Sequence, residues 1–413
     1  MRWRVPRSPP ELRCHAKQRG HPLRALHVRR CFSFGSAAVR CRTHENASIF
    51  SRGREPYCCG MGMNVTTDSW VVFRLSALGD VVLTTGVLDY WHRRRGWRFT
   101  VVTRKAWVGV FEGHPAIDGV VGLENADLAL PRLLRIYLES AARHAGKGLL
   151  DLHGTLRSRL LAMLWRGPVR RYPKLPVARR LFLRSGGRLC GDTLRRWNVT
   201  QRYALAVESE APARSALLPR IYLTDAEVSA GARFASQVPG QGPLVALHPY
   251  ATHPDKAWIP DSWTKLAAAL RERGVRCCVI GQGTPSSLGP DVVDFTGKTS
   301  LRESCALLAA ADVLVTGDSG PMHLAGAVGT PVVALFGPTT REWGFFPEGP
   351  HDVVLEPDMP CRPCSLHGSR RCRETVGCMA RLSPETVVAA VMGVLGRDAA
   401  DDVAAVAKGA AGR

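Results

Sequence analysis

Short β-branched runs alternate with helix-length amphipathic stretches along most of the chain. Trp70-Val71-Val72-Phe73-Arg74-Leu75 reads as a buried strand. The helix it feeds, ending near Arg95, carries Val81, Val82, Leu83, Val87, Leu88 and Trp91 as a broad apolar face. Further strands are predicted at 98–103, 119–123 and 148–153, then at 243–248, 275–280, 313–316 and 332–336. A helix after Pro260 places Trp263, Leu266, Ala267 and Leu270 at helical spacing, and a last helix spans 384–395. Strands separated by crossover helices predict mostly parallel α/β sheets. The small, Pro-containing segment 211–219 reads as a hinge.

That pattern starts only after residue 63. Before it there is no hydrophobic periodicity and no apolar core of a secretion signal, so residues 1–63 are expected to be a disordered basic extension. Native translation from Met61 or Met63 is a simpler alternative, and a nucleic-acid-binding arm is another. The charge distribution follows the same division: the formal net charge is +21, and the first sixty residues hold 13 Arg and Lys against Glu11, Glu45 and Glu55. The remainder is still basic, which suits an anionic acceptor or an anionic membrane surface. The domains expected are therefore 64–210 and 211–396, with a disordered tail at 397–413. No apolar run reaches the roughly 18 residues that span a bilayer. Of 13 cysteines, five lie before residue 60, and these five are expected to be reduced thiols.

The most informative stretch is 312–339. A strand stops at Gly317-Asp318-Ser319-Gly320, a helix opens near Pro321, and a second strand follows Gly329. Pro321 suits a helix start, and Asp318 and Ser319 are capping residue types. Exposed N–H groups of the first turn, with the helix dipole behind them, make an anion site that fits a diphosphate. Gly320 lets a ligand approach, and His323 stands one turn away. A well-capped turn without ligand is the competing reading.

These residues resemble the bacterial heptosyltransferase family, glycosyltransferase family 9. Gly317 to His323 and Pro331 to Thr339 look like its signature. The resemblance spans about 68–396 and implies a GT-B architecture: two doubly wound Rossmann-like domains facing a cleft. Ser76-Ala77-Leu78-Gly79-Asp80-Val81-Val82 is similar to the family's amino-terminal motif, whose Asp is the proposed base, with Ala77 where many members carry a second Ser. The resemblance thus assigns catalysis to Asp80 and donor contacts to Ser76, Gly79, Thr252, Lys256, Gln282, Asp318, Ser319, Gly320 and His323. Ala251 replaces the first of a Thr pair, and Gln282 stands near where relatives use a Glu for ribose and adenine. Acceptor contacts fall to His153, in place of the usual Gln, and to Arg157. Arg170, Arg171, Lys174, Arg179, Arg180, Arg184 and Arg188 form either an acidic-ligand site or solvated surface.

The implied activity is inverting, metal-independent transfer of heptose from ADP-heptose to Kdo-lipid A or heptosyl-Kdo-lipid A, at the cytoplasmic face of the inner membrane, with no cofactor. A free carboxylate near pKa 4 is a weak base at neutral pH, so desolvation is expected to raise that of Asp80. Alternatives are a related GT-B enzyme using another nucleotide sugar, or a non-catalytic nucleotide- or nucleic-acid-binding protein. Cys361 and Cys364 resemble a zinc half-site, but the spacing to Cys372 and Cys378 is loose, so free thiols, structural zinc and disulfides all stay open.

Overall fold

The computed structural model describes residues 68–285, 287–365, 368, 372 and 377–396. The expectations for 1–63 and 397–413 lie outside the described residues.

Five parallel strands form the first sheet: β1 (Ser69–Phe73), β2 (Arg98–Arg104), β3 (Ile117–Leu123), β4 (Gly148–Asp151) and β5 (Val169–Arg171), in the order β3-β2-β1-β4-β5. Six more form the second: β6 (Leu244–His248), β7 (Arg276–Val279), β8 (Val293–Asp294), β9 (Val313–Gly317), β10 (Val332–Leu335) and β11 (Val353–Leu355), ordered β11-β10-β9-β6-β7-β8. Each sheet begins in its middle and winds outward in both directions. The order therefore reverses between β1 and β4, and again between β6 and β9, at the places where open α/β sheets bind ligands.

Two helices follow the strands nearest these reversals. Helix α1 (Leu78–Arg95) is buried on nearly every side, from Val81 through Asp89 and at Trp91, rather than along one face. It lies between the first sheet and the linker, and the Thr84 and Thr85 hydroxyls satisfy their burial by donating to the carbonyls of Val81 and Val82 at 2.6 and 2.7 Å. Gly86 permits this: a Cβ there would stand 2.3 Å from the Leu217 carbonyl oxygen.

Helices α2 (Leu130–Arg143), α3 (Leu156–Leu164), α4 (Pro176–Arg184), α5 (Gly191–Arg195) and α6 (Val199–Ala204) complete the first half. In the second, α7 (Asp225–Ser236), α8 (Pro260–Arg271), α9 (Leu301–Ala309) and α10 (Gly320–Val328) cover the sheet, and α11 spans 384–396. One hydrophobic cluster runs through both halves, with Val72, Val87, Leu217, Met322 and Leu314 among its buried members. The segment just after the linker clamps it, since Arg220 N–H donates to Thr85 Oγ1 at 2.9 Å and Ile221 N–H to the Ala327 carbonyl at 2.8 Å.

Candidate active site

The N-termini of α1 and α10 meet across the gap between the sheets. A Cβ on Gly79 would lie 2.4 Å from His323 Cδ2, and one on Gly320 would lie 2.8 Å from Leu78 Cδ2. Only glycine at both places lets the two helix starts come this close. The cleft beside them has a volume of about 530 Å³ and is lined from both halves, by Asp80, His153 and Tyr203 on one side and Lys256, Ser319 and His323 on the other.

Asp80, in the first turn of α1, is fixed from three directions. Arg74, at the end of β1, places its guanidinium 2.5 Å from Oδ2. The Tyr203 hydroxyl donates to Oδ1 at 2.6 Å, and the Ala77 N–H reaches Oδ2 at 3.4 Å. Burial pushes this carboxyl up, but the charge of Arg74 and the two hydrogen bonds together outweigh it, so its pKa lies below the ordinary aspartate value. The expectation of a raised value is thereby corrected: the desolvation is present, but a buried cation accompanies it. Arg74 is itself held by the Leu152 carbonyl and stacks 5.4 Å from the Tyr203 ring centre.

Across the cleft, α10 starts without a side-chain cap. Ser319 occupies the capping position, as its residue type suggested, yet its hydroxyl pairs with Thr316 Oγ1 at 3.0 Å and lies 3.4 Å from His248 Nδ1. The preceding strand supplies a closer partner than the helix does, and the Ser319 side chain makes no capping bond to the first turn. Lys256 Nζ lies 2.6 Å from Asp318 Oδ2, which also accepts from Thr339 at 2.7 Å. Asp318 thus aims the lysine at the cleft. Thr252 lines the cleft beside it. Burial keeps the His323 imidazole neutral by lowering its pKa, and it depresses His248 to about 4.

A second cavity of about 600 Å³ adjoins the first, sharing Ser76, Gly79, Thr252, Ser319 and Gly320. Gln282 lines this one, with Trp107 and Tyr250, and is separated from the Asp80 side. The donor residues named from sequence are therefore divided between two connected chambers.

Of the two residues expected to meet the acceptor, His153 lines the cleft, and burial, then Arg74 and Lys174, lower its pKa to about 3. Arg157 does not line it: the residue is exposed on α3. The first-half cations that do are Arg74, which is paired with Asp80, and Lys174, Arg179 and Arg202. Arg202 is fully buried and donates only to the carbonyls of Leu194, Glu342 and Trp343, while its Nε has no partner among the described residues. Burial lowers its pKa to about 10, so it stays charged. Sequence reasoning missed Arg202 and Tyr203, which sit on a helix of six residues with no local motif. Arg74 did carry a signal, as a lone charge in an apolar strand.

Cys361, Cys364, Cys372 and Cys378 are free thiols, three of them around a small cavity beside Pro254 and Pro338. Burial and the neighbouring Cys361 push Cys364 up to about 12. No group of three or more His, Cys, Asp or Glu among the described residues is arranged to hold a metal ion.

Two doubly wound sheets facing a cleft define the GT-B class of glycosyltransferase folds. Residues 198–371 match Glycosyltransferase family 9 (heptosyltransferase), so the chain carries a domain of that family. It is 31% identical over 166 residues to lipooligosaccharide heptosyltransferase 2 of Haemophilus influenzae, an alignment covering 35% of this chain and 48% of the relative. The chain thus spans about half the length of that curated relative. In structure it is similar to a glycosyl transferase family 9 protein of Veillonella parvula, with a TM-score of 0.62, 19% identity, and coverage of 80% of this chain and 97% of that one. It is also similar to the E. coli ADP-heptose LPS heptosyltransferase II, with a TM-score of 0.60, 18% identity, and coverage of 80% and 99%.

Proposed function

We propose that the protein transfers heptose from ADP-heptose to an inner-core lipopolysaccharide acceptor, Kdo-lipid A or heptosyl-Kdo-lipid A, with inversion at the anomeric carbon. The observation that carries this reading is the cleft that joins the Asp80 carboxylate to Lys256 and the uncapped start of α10. The names of its relatives supply the sugar.

In this reading the acceptor hydroxyl attacks the anomeric carbon as the bond to the diphosphate oxygen breaks. Asp80 takes the hydroxyl proton, and the charge released on ADP is met by Lys256, Thr252 and the N–H groups of Gly320 and the first turn. The hydroxyl becomes acidic only as the new bond forms, so a carboxylate of low pKa serves as acceptor late in the step. Lys174, Arg179 and Arg202 face the acceptor half, where a Kdo carboxylate or phosphate finds cations. The protein then works at the cytoplasmic surface of the inner membrane. Gln282, where relatives use a nearby Glu, favours one second reading: the same transfer from another nucleotide sugar.

Incubating the protein with ADP-heptose, rival nucleotide sugars and truncated core acceptors, with product mass as readout, tests both readings. Transfer from ADP-heptose that survives chelation by EDTA is expected. Transfer only from another donor selects the second reading, and a rate abolished by EDTA and restored by a divalent cation overturns the role given to Lys256.

A further inference from the structure

Large apolar side chains left in solvent concentrate in one part of the chain. Among the described residues, seven of nine such side chains fall between 130 and 189. The same stretch holds fourteen Lys and Arg against only Glu139 and Asp151. Scattered exposed apolar residues are ordinary on any protein surface, but this grouping with one sign of charge is not.

Helix α4 shows how the two are combined. Phe182 turns inward and packs edge-on against Trp343, ring centres 5.4 Å apart. Val177, Arg180, Leu181 and Arg184, at helical spacing i, i+3, i+4 and i+7, are all exposed on the outer side. Helix α3 repeats the arrangement: Leu161 is buried, while Leu156 and Met163 are 83% and 80% exposed beside Arg157 and Arg159. The two helices start at the same lip of the cleft. Lys174 Nζ donates to the carbonyls of His153 and Gly154, each at 3.4 Å, and so ties together the loops that lead into them. Leu156 follows His153 by three residues, and Val177 follows Lys174 by three.

We propose that this α3–α4 surface docks the protein on an anionic lipid bilayer. Leu156, Met163, Val177 and Leu181 enter the headgroup–acyl boundary, and Arg157, Arg159, Arg180 and Arg184 lie against lipid phosphates. The lip of the cleft then faces the membrane, an orientation that rests on the reading of the acceptor as a glycolipid. Positive charge alone would also suit nucleic acid. Leucine and methionine held in water suit a bilayer, because only there is their apolar area removed from solvent.

The test is sedimentation of the full-length protein with phosphatidylglycerol vesicles and with phosphatidylcholine vesicles. The variants are L156S/M163S/V177S and R180Q/R184Q, all at exposed positions outside the cleft lining, with folding checked by circular dichroism. Salt-sensitive binding to phosphatidylglycerol is expected, reduced on the order of tenfold or more in each variant. Transfer to a water-soluble, delipidated acceptor stays at the wild-type rate. Wild-type protein left in the supernatant, variants that bind as wild type does, or duplex DNA that displaces the vesicles at equal charge would each overturn the proposal. Vesicle binding of this kind without any sugar transfer would sink the transferase reading and leave the docking surface standing.

Discussion

The Arg74 guanidinium and the Asp80 carboxylate stand 2.5 Å apart, with only 5% and 19% of their side chains exposed. The pair joins the end of β1 to the first turn of α1. It holds the carboxyl's pKa below the ordinary aspartate value, against the burial that raises it.

Replacing Arg74 with Met removes the charge that holds the Asp80 pKa down, and burial then dominates. The acid limb of the kcat/KM profile should move to higher pH. The carboxylate's stabilising contribution, present in wild type above the unfolded aspartate value and lost as pH falls through the lower folded value, should shrink. Breaking a buried pair costs about 3 kcal/mol. Urea melts at pH 7 and pH 4 together with a pH–rate profile check both; an unmoved acid limb contradicts the assignment.

Lys256 and Asp318 test the donor end. Lys256→Ala should lower kcat by about 10²- to 10³-fold, the range for losing one preorganised charge-stabilising group. Asp318→Asn keeps the lysine but releases its aim, so a smaller loss is expected. Steady-state kinetics separate the two, and an Asp318→Asn protein as impaired as Lys256→Ala would show that Asp318 has a further role.

Gly79→Ala introduces a methyl 2.4 Å from His323 Cδ2, where the α1 and α10 starts meet. Overpacking of this kind costs about 1–3 kcal/mol. The variant should lose activity through separation of the helix ends, with every charge in place. His323→Ala clears the space, so a double-mutant cycle of thermal stability should show favourable coupling. Simple additivity would place the clash elsewhere.

His248 is buried, bonds to Thr316 Oγ1 at 3.0 Å and has its pKa lowered by burial to about 4. The unfolded chain binds a proton near pH 6.5, and the folded one does not until far lower. Stability therefore falls as pH drops below that unfolded value, by about 2 kcal/mol between pH 7 and pH 5 from this residue. Denaturant melts of wild type and His248→Asn at the two pH values check it, and the variant should show the flatter dependence.

How much of this could be read in the sequence depends on whether the cause was local. The α1 and α10 starts were legible because glycine, proline and capping types sit within a few residues of each other after β-branched runs. Tyr203 was not, since it reaches Asp80 from 123 residues away on a helix of six. The edge strands β5, β8 and β11 are only two or three residues long, too short to show a period. Arg157 was expected at the acceptor and Lys174 was left in a general cluster, because spacing places a residue on a helix without saying which side meets the cleft. Ser319 was read as a cap from its type, and the nearer hydroxyl of Thr316 took its bond.

Asp80→Asn isolates the proton acceptor, with transfer from ADP-heptose to a Kdo-terminated acceptor followed by product mass and ADP binding followed by calorimetry. Unchanged ADP binding and a kcat lower by about 10²- to 10⁴-fold, the range for losing a general base, are expected. Turnover near the wild-type rate would contradict that role.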